Sequence, residues 1–93
     1  MTSARSSVWT VSVHRSARKA LRKLPRPLAA KLLATAESLE RNPFPPGVEP
    51  IHGSVDTYRI WFGAYRIVYS LDHDGHRILV TRIAHRKDVY RNL

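Results

Sequence analysis

Between residues 57 and 84 the sequence "TYRIWFGAYRIVYSLDHDGHRILVTRIA" leaves this chain little freedom of fold. Three runs, at about 57–62, 65–71 and 77–84, are rich in β-branched and aromatic residues and are separated by the turn sequences FGAY and DHDGH. In the second turn Asp74-Gly75 is expected to supply the positive φ values of a tight turn. Spacers this short join neighbouring antiparallel strands, so the segment predicts a three-stranded meander. YRIVYSL and RILVTRIA are almost continuously apolar, which predicts central strands covered on much of both faces.

The preceding half supplies what covers that sheet. VWTVSVH (8–14) alternates, with Trp9, Val11 and Val13 on one side, and predicts a first strand. Ser16 has the chemistry of an N-cap for the helix that follows. Ala17, Ala20, Leu21 and Leu24 fall at helical spacing, and Arg18, Lys19, Arg22 and Lys23 form the opposite side. The prolines of PRP (25–27) stop this helix. A second helix is expected over about 28–41, with Leu28, Leu32, Ala36 and Leu39 inward, making an antiparallel helix hairpin. RNPFPPGVEP (41–50) carries four prolines and reads as an extended spacer between helices and sheet. The closing HRKDVYRNL is too polar for a strand and predicts a short tail or one helical turn. Residues 1–7 read as a frayed N-terminus. The fold class is α+β, in one domain spanning 1–93: an N-terminal strand, a helix hairpin and a three-stranded antiparallel meander, with the helices on one face of the sheet.

Charge limits the partners. Sixteen Lys/Arg against seven Asp/Glu leave a net +9, and residues 1–41 alone hold nine basic and two acidic side chains. Most of the cations are arginines, whose planar fork grips phosphate. A domain this basic is expected to meet a polyanion, most simply nucleic acid, or an acidic protein partner. The absence of cysteine excludes disulfides and thiolate metal sites and fits a reducing cytoplasm. No apolar run approaches the ~18 residues of a membrane span, and no signal-peptide core follows the N-terminus. His73 and His76, flanked by Asp72 and Asp74 on a hairpin tip, lack a third histidine nearby, so no metal or other cofactor is expected. HRKD (85–88) echoes a kinase catalytic loop without the length or glycine loop a kinase needs. No phosphate-binding glycine motif, paired-carboxylate site or serine nucleophile motif is present.

The strand alternation creates a candidate site. In 58–62, Tyr58, Ile60 and Phe62 go to the helix-covered face, and Arg59 and Trp61 to the other. If Gly63 and Ala64 form a two-residue turn, Trp61 pairs with Arg66, so Arg59, Trp61 and Arg66 converge. Two guanidiniums beside an indole suit a phosphate and a stacked base. The basic side of the first helix, Arg18, Lys19, Arg22 and Lys23, is a further candidate contact for RNA. Arg86 and Tyr90 follow the last strand. RNA carries its own nucleophile, the 2′-hydroxyl, so its cleavage needs only three protein functions. These are a base for that hydroxyl, cations for the phosphorane and a proton for the leaving 5′-oxygen. Guanidiniums near a tyrosine favour its phenolate and lower its pKa from about 10. His85, with a reference pKa near neutrality, is a reserve acid/base candidate.

The linked motifs Y-R-I, G-x-Y-R-I-V-Y and H-R-x-x-V-Y, with VWTVSVHRSARKALRKLP before them, resemble the RelE/ParE toxin superfamily, specifically its RelE branch, over nearly the whole chain. The resemblance implies a bacterial toxin that enters the ribosomal A site, contacts 16S rRNA and cuts mRNA there. It also implies a cognate antitoxin that silences the toxin in a hetero-oligomer. Residue by residue, it implies RNA contact at Arg59, transition-state stabilisation at Arg66, phosphate binding at Arg86 and a general base at Tyr90. The position two after Arg59 is often a second lysine in active members; here it is Trp61, which gives up a charge and offers a stacking surface. Two alternatives stay open: a ParE-like toxin acting on DNA gyrase, a branch that generally lacks the arginine–tyrosine set, and a binding module without catalysis.

Overall fold

A computed structural model describes residues 9–91, with side chains as far as Asp88; the stretch expected to fray, 1–7, lies outside the described residues. Strand β1 spans Thr10–Val13, helix α1 Arg15–Arg22 and helix α2 Arg26–Glu37, which runs into a 3₁₀ turn at Ser38–Glu40. Strands β2 (Glu49–Pro50), β3 (Thr57–Phe62), β4 (Tyr65–Asp72) and β5 (Arg77–His85) follow, and α3 (Arg86–Arg91) closes the chain. The strands form one sheet in the order β1-β5-β4-β3-β2, antiparallel except where β1 runs parallel to β5. Among the described residues no helix is long and apolar enough to cross a membrane.

The helices and one face of the sheet enclose the core. Leu32, Ala36 and Leu39 meet Ile67, Tyr69, Ile78 and Val80, all fully buried. Burial of each large aliphatic side chain contributes about 1.5–3 kcal/mol. The Tyr69 hydroxyl donates to the Pro43 carbonyl at 2.6 Å, and Phe44 packs edge-to-face on Tyr58, so the proline-rich segment is clamped to the sheet. The free edge of β1 is partly capped where the Val11 amide donates to the Glu40 carboxylate at 2.8 Å.

Five local expectations are corrected. The N-cap of α1 is His14, whose Nδ1 accepts from the Ser16 amide at 3.1 Å; Ser16 lies inside the helix and donates its hydroxyl to the Thr81 carbonyl. The second helix begins at Arg26, because prolines at a helix start cost no internal hydrogen bond. The spacer contains a strand: Glu49 and Pro50 pair with Arg59 and Tyr58, Pro50 being tolerated because β2 is an edge. In the second turn the positive φ falls on His76, at 51°, since the loop is four residues long and the Asp72 carboxylate organises it by accepting from the Gly75 amide. The fifth concerns the meander, which is covered on one face only.

A β-bulge explains that last difference. Val68 stands opposite Arg82, but Tyr69 stands opposite Val80, so Thr81 is an extra residue in β5. The bulge reverses the alternation of β5 partway along its length. Ile78 and Val80 face the core before it, and Ile83 faces the core after it, although their spacing is odd. A strand that changes phase looks apolar on both sides in sequence while burying only one.

Candidate functional site

The open face carries the cations. The β3–β4 register pairs Trp61 with Arg66 and Phe62 with Tyr65 across the turn at Gly63 and Ala64, where Gly63 takes φ 59°. Arg59 and Arg66 therefore share the open face with Trp61, which is 43% exposed. Val68 is the centre of the arrangement: Arg59 stands opposite it on β3, Arg82 opposite it on β5, and Arg66 precedes it by two residues on β4. These residues, with Glu49 and His52 at the rim, line a shallow depression of about 670 Å³.

The three arginines are not equivalent. Arg59 donates through Nε to Glu49 at 2.9 Å, and that bond, followed by the Arg59 charge, holds the Glu49 carboxyl below the usual carboxylate range. Among the described residues Arg66 has no such counterion. Its Nε is shut off from solvent and, among the described residues, has no hydrogen-bond partner. Burial, and then the charges of Arg59 and Arg82, push the Arg66 guanidinium below its ordinary pKa. Arg82 is exposed, and the ion pairs among the described residues do not include it. An electropositive bowl with an apolar floor and a shielded, unsatisfied donor is suited to a phosphate.

The other candidate residues lie elsewhere. The Arg86 amide donates to the Ala64 carbonyl at 2.8 Å, which ties the start of α3 to the turn beside the Trp61–Arg66 pair. Tyr90 is one turn further along α3, and its side chain lies outside the described part of the structure. His85 pairs with Tyr65, its ring edge-on to the phenol at 5.1 Å, and its Nδ1 accepts from the Lys87 amide. The register thus turns His85 toward the helix-covered side, away from Arg59 and Arg66. Arg18, Lys19 and Arg22 sit on α1, which also packs on that side, and Lys23 is its C-cap. Arg18 and Arg22 border a cleft of about 460 Å³ beside β1, with Leu21 and Glu37, and Arg18 donates to the Val13 carbonyl. Lys19 and Lys23 border another cleft, of about 350 Å³, with Tyr65 and His85. The protein has two basic surfaces on opposite sides of the sheet. At the hairpin tip His73 is tied to Asp56 at 3.1 Å, and the rings of His73 and His76 pack edge-on against Trp9.

Sequence reasoning missed Glu49, His52 and Arg82. No motif around residues 49–52 marked the first two. Arg82 did leave a signal, because unbroken alternation from Ile78 and Val80 would bury it, and a charge at a core position points to a change of phase.

A family model described as the ParE toxin of type II toxin–antitoxin system, parDE, matches residues 11–90. Toxin RelG of Mycobacterium tuberculosis is 33% identical over 84 residues, covering 89% of this chain and 97% of its own. The fold is similar to that in the toxin–antitoxin complex RelBE2 from the same organism, with TM-score 0.73 and 29% identity over 84% of this chain and 98% of that one. It is equally similar to the archaeal RelE–RelB complex of Pyrococcus horikoshii OT3, with TM-score 0.74 and 28% identity over 85% and 96% of the two chains. With a family match over most of its length and RelE-type relatives in both sequence and fold, the chain belongs to the RelE/ParE superfamily of toxins from type II toxin–antitoxin systems.

Proposed function

We propose that this toxin is a ribosome-dependent endoribonuclease that cuts mRNA in the A site by 2′-hydroxyl transesterification. The observation that carries it is Arg66, a shielded guanidinium without a partner among the described residues, set between two like charges on an open sheet face. A free protein gains nothing from that arrangement, whereas a phosphate relieves it. Tyr90 takes the proton from the 2′-hydroxyl, whose oxygen attacks the adjacent phosphorus. Arg66 and Arg86 neutralise the pentacoordinate phosphorane, and the 5′-oxygen departs with a proton taken from water, leaving a 2′,3′-cyclic phosphate. Trp61 stacks on a neighbouring base. An acidic or amphipathic segment of an antitoxin silences the toxin; the basic side of α1 and the cleft beside β1 suit such a segment.

Arg66→Ala is expected to slow mRNA cleavage in a translation extract by roughly 10²–10³-fold, the usual loss for one oxyanion-stabilising donor. Tyr90→Phe is expected to slow it by roughly 10²–10⁴-fold, the range for a general base. Folded variants that cut at the parental rate would refute the site. The family match described as ParE favours a second target, DNA gyrase. Inhibition of gyrase supercoiling by the purified toxin, with mRNA left intact, would establish that target in place of the ribosome.

A further inference from the structure

We infer that Arg82, which no motif assigns, is the partner of Arg66 in a two-arginine clamp for one RNA backbone phosphate, and that Arg59 is committed to Glu49 instead. The inference rests on the proposal that the open face binds RNA and specifies which cations grip it.

The charge balance of the bowl separates the three arginines. Glu49 already supplies Arg59 with a hydrogen-bonded counterion. Arg66 and Arg82 remain, and neither takes part in an ion pair among the described residues. They are diagonal neighbours across β4 and β5, since Arg66 stands opposite Ala84, two residues beyond Arg82. Diagonal positions on a sheet face are about 7–8 Å apart, a span over which two long guanidinium side chains can close on a single phosphate. The small Ala84 side chain leaves room beside Arg66, and half-buried Val68 forms the floor. Arg82 reaches this face only because Thr81 bulges; were the alternation of Ile78 and Val80 to run unbroken through Thr81, it would point into the core.

The test uses the purified, folded protein and an uncleavable 2′-O-methyl RNA oligonucleotide, with affinity measured by fluorescence anisotropy over a salt series. Arg82→Gln should weaken binding roughly tenfold, the worth of a charge-assisted contact. It should also make the log–log salt slope shallower by about 0.7, the single-strand value for one lost phosphate contact. The control, Arg77→Gln, removes an equal charge from the far end of the same face and should change affinity less than twofold. In the absence of RNA, Arg82→Gln should melt higher than the parent, because it relieves repulsion on Arg66.

Equal affinities for the Arg82 and Arg77 variants would overturn the clamp. So would a stronger Arg82-dependent affinity for a glutamate-rich peptide than for the oligonucleotide, which would assign the bowl to a protein carboxylate. Cleavage is not a readout here. A toxin that never cuts RNA leaves the clamp standing, and an unaltered Arg82→Gln leaves the nuclease standing.

Discussion

Replacing Arg66 with methionine should make the toxin more stable. Arg66 lies diagonal to both Arg59 and Arg82, about 7–8 Å from each across the sheet. Two unit charges at that distance repel by roughly 0.6 kcal/mol in water and roughly 2 kcal/mol at an effective dielectric of 20. Glu49 offsets much of the Arg59 contribution, and physiological salt screens the exposed remainder, leaving about 1 kcal/mol. The shielded Nε adds a desolvation cost of about 1 kcal/mol, the low end for an unpaired buried donor. Methionine keeps most of the apolar stem and so most of its packing beside Trp61 and Val68. The net gain is about 1–2 kcal/mol, which for a domain near this size raises the melting temperature by about 5–10 °C. Thermal denaturation followed by circular dichroism in phosphate-free buffer measures it, and the gain should shrink as salt rises from low to high ionic strength. A variant that melts below the parent would mean that Arg66 has a stabilising counterion, and the description of the bowl as an unsatisfied cation site would be wrong.

Three further outcomes follow from the same structure. Tyr69→Phe should cost about 1–2 kcal/mol in denaturant melts by leaving the Pro43 carbonyl without its donor. Burial raises the Tyr69 phenol to about 12, above its unfolded value near 10. The unfolded chain therefore loses this proton first, and stability present below pH 10 falls by roughly 3 kcal/mol as pH rises to 12; Tyr69→Phe should flatten that alkaline decline. Glu49→Gln releases Arg59 and should tighten binding of the uncleavable oligonucleotide several-fold, with a steeper salt slope; unchanged affinity would show that Arg59 stays out of reach. Deleting Thr81 should remove the bulge yet keep Arg82 on the open face and Ile83 in the core, because Val80, Arg82 and Ile83 then alternate without interruption. Cooperative unfolding should persist, as read by calorimetry.

The meander, its first turn and the shared face of Arg59, Trp61 and Arg66 were legible because alternation and a two-residue turn are local, and turn length alone sets the register of an antiparallel pair. Helix positions were legible to within a turn for the same reason. The N-cap was not, because His14 and Ser16 are both competent and only the reach of Ser16 to Thr81 separates their roles.

By itself, the order of residues determined an α+β domain with a basic open sheet face and two arginines and a tryptophan on it. The tertiary structure alone decided that β1 lies parallel to β5, that the proline-rich segment returns to place Glu49 on Arg59, and that Arg82 joins the bowl. Each of those depends on pairing between segments distant in the chain or on a one-residue change of phase. The energy that selects them comes from burying Ile78, Val80 and Ile83 on one side, an outcome no short window of sequence contains.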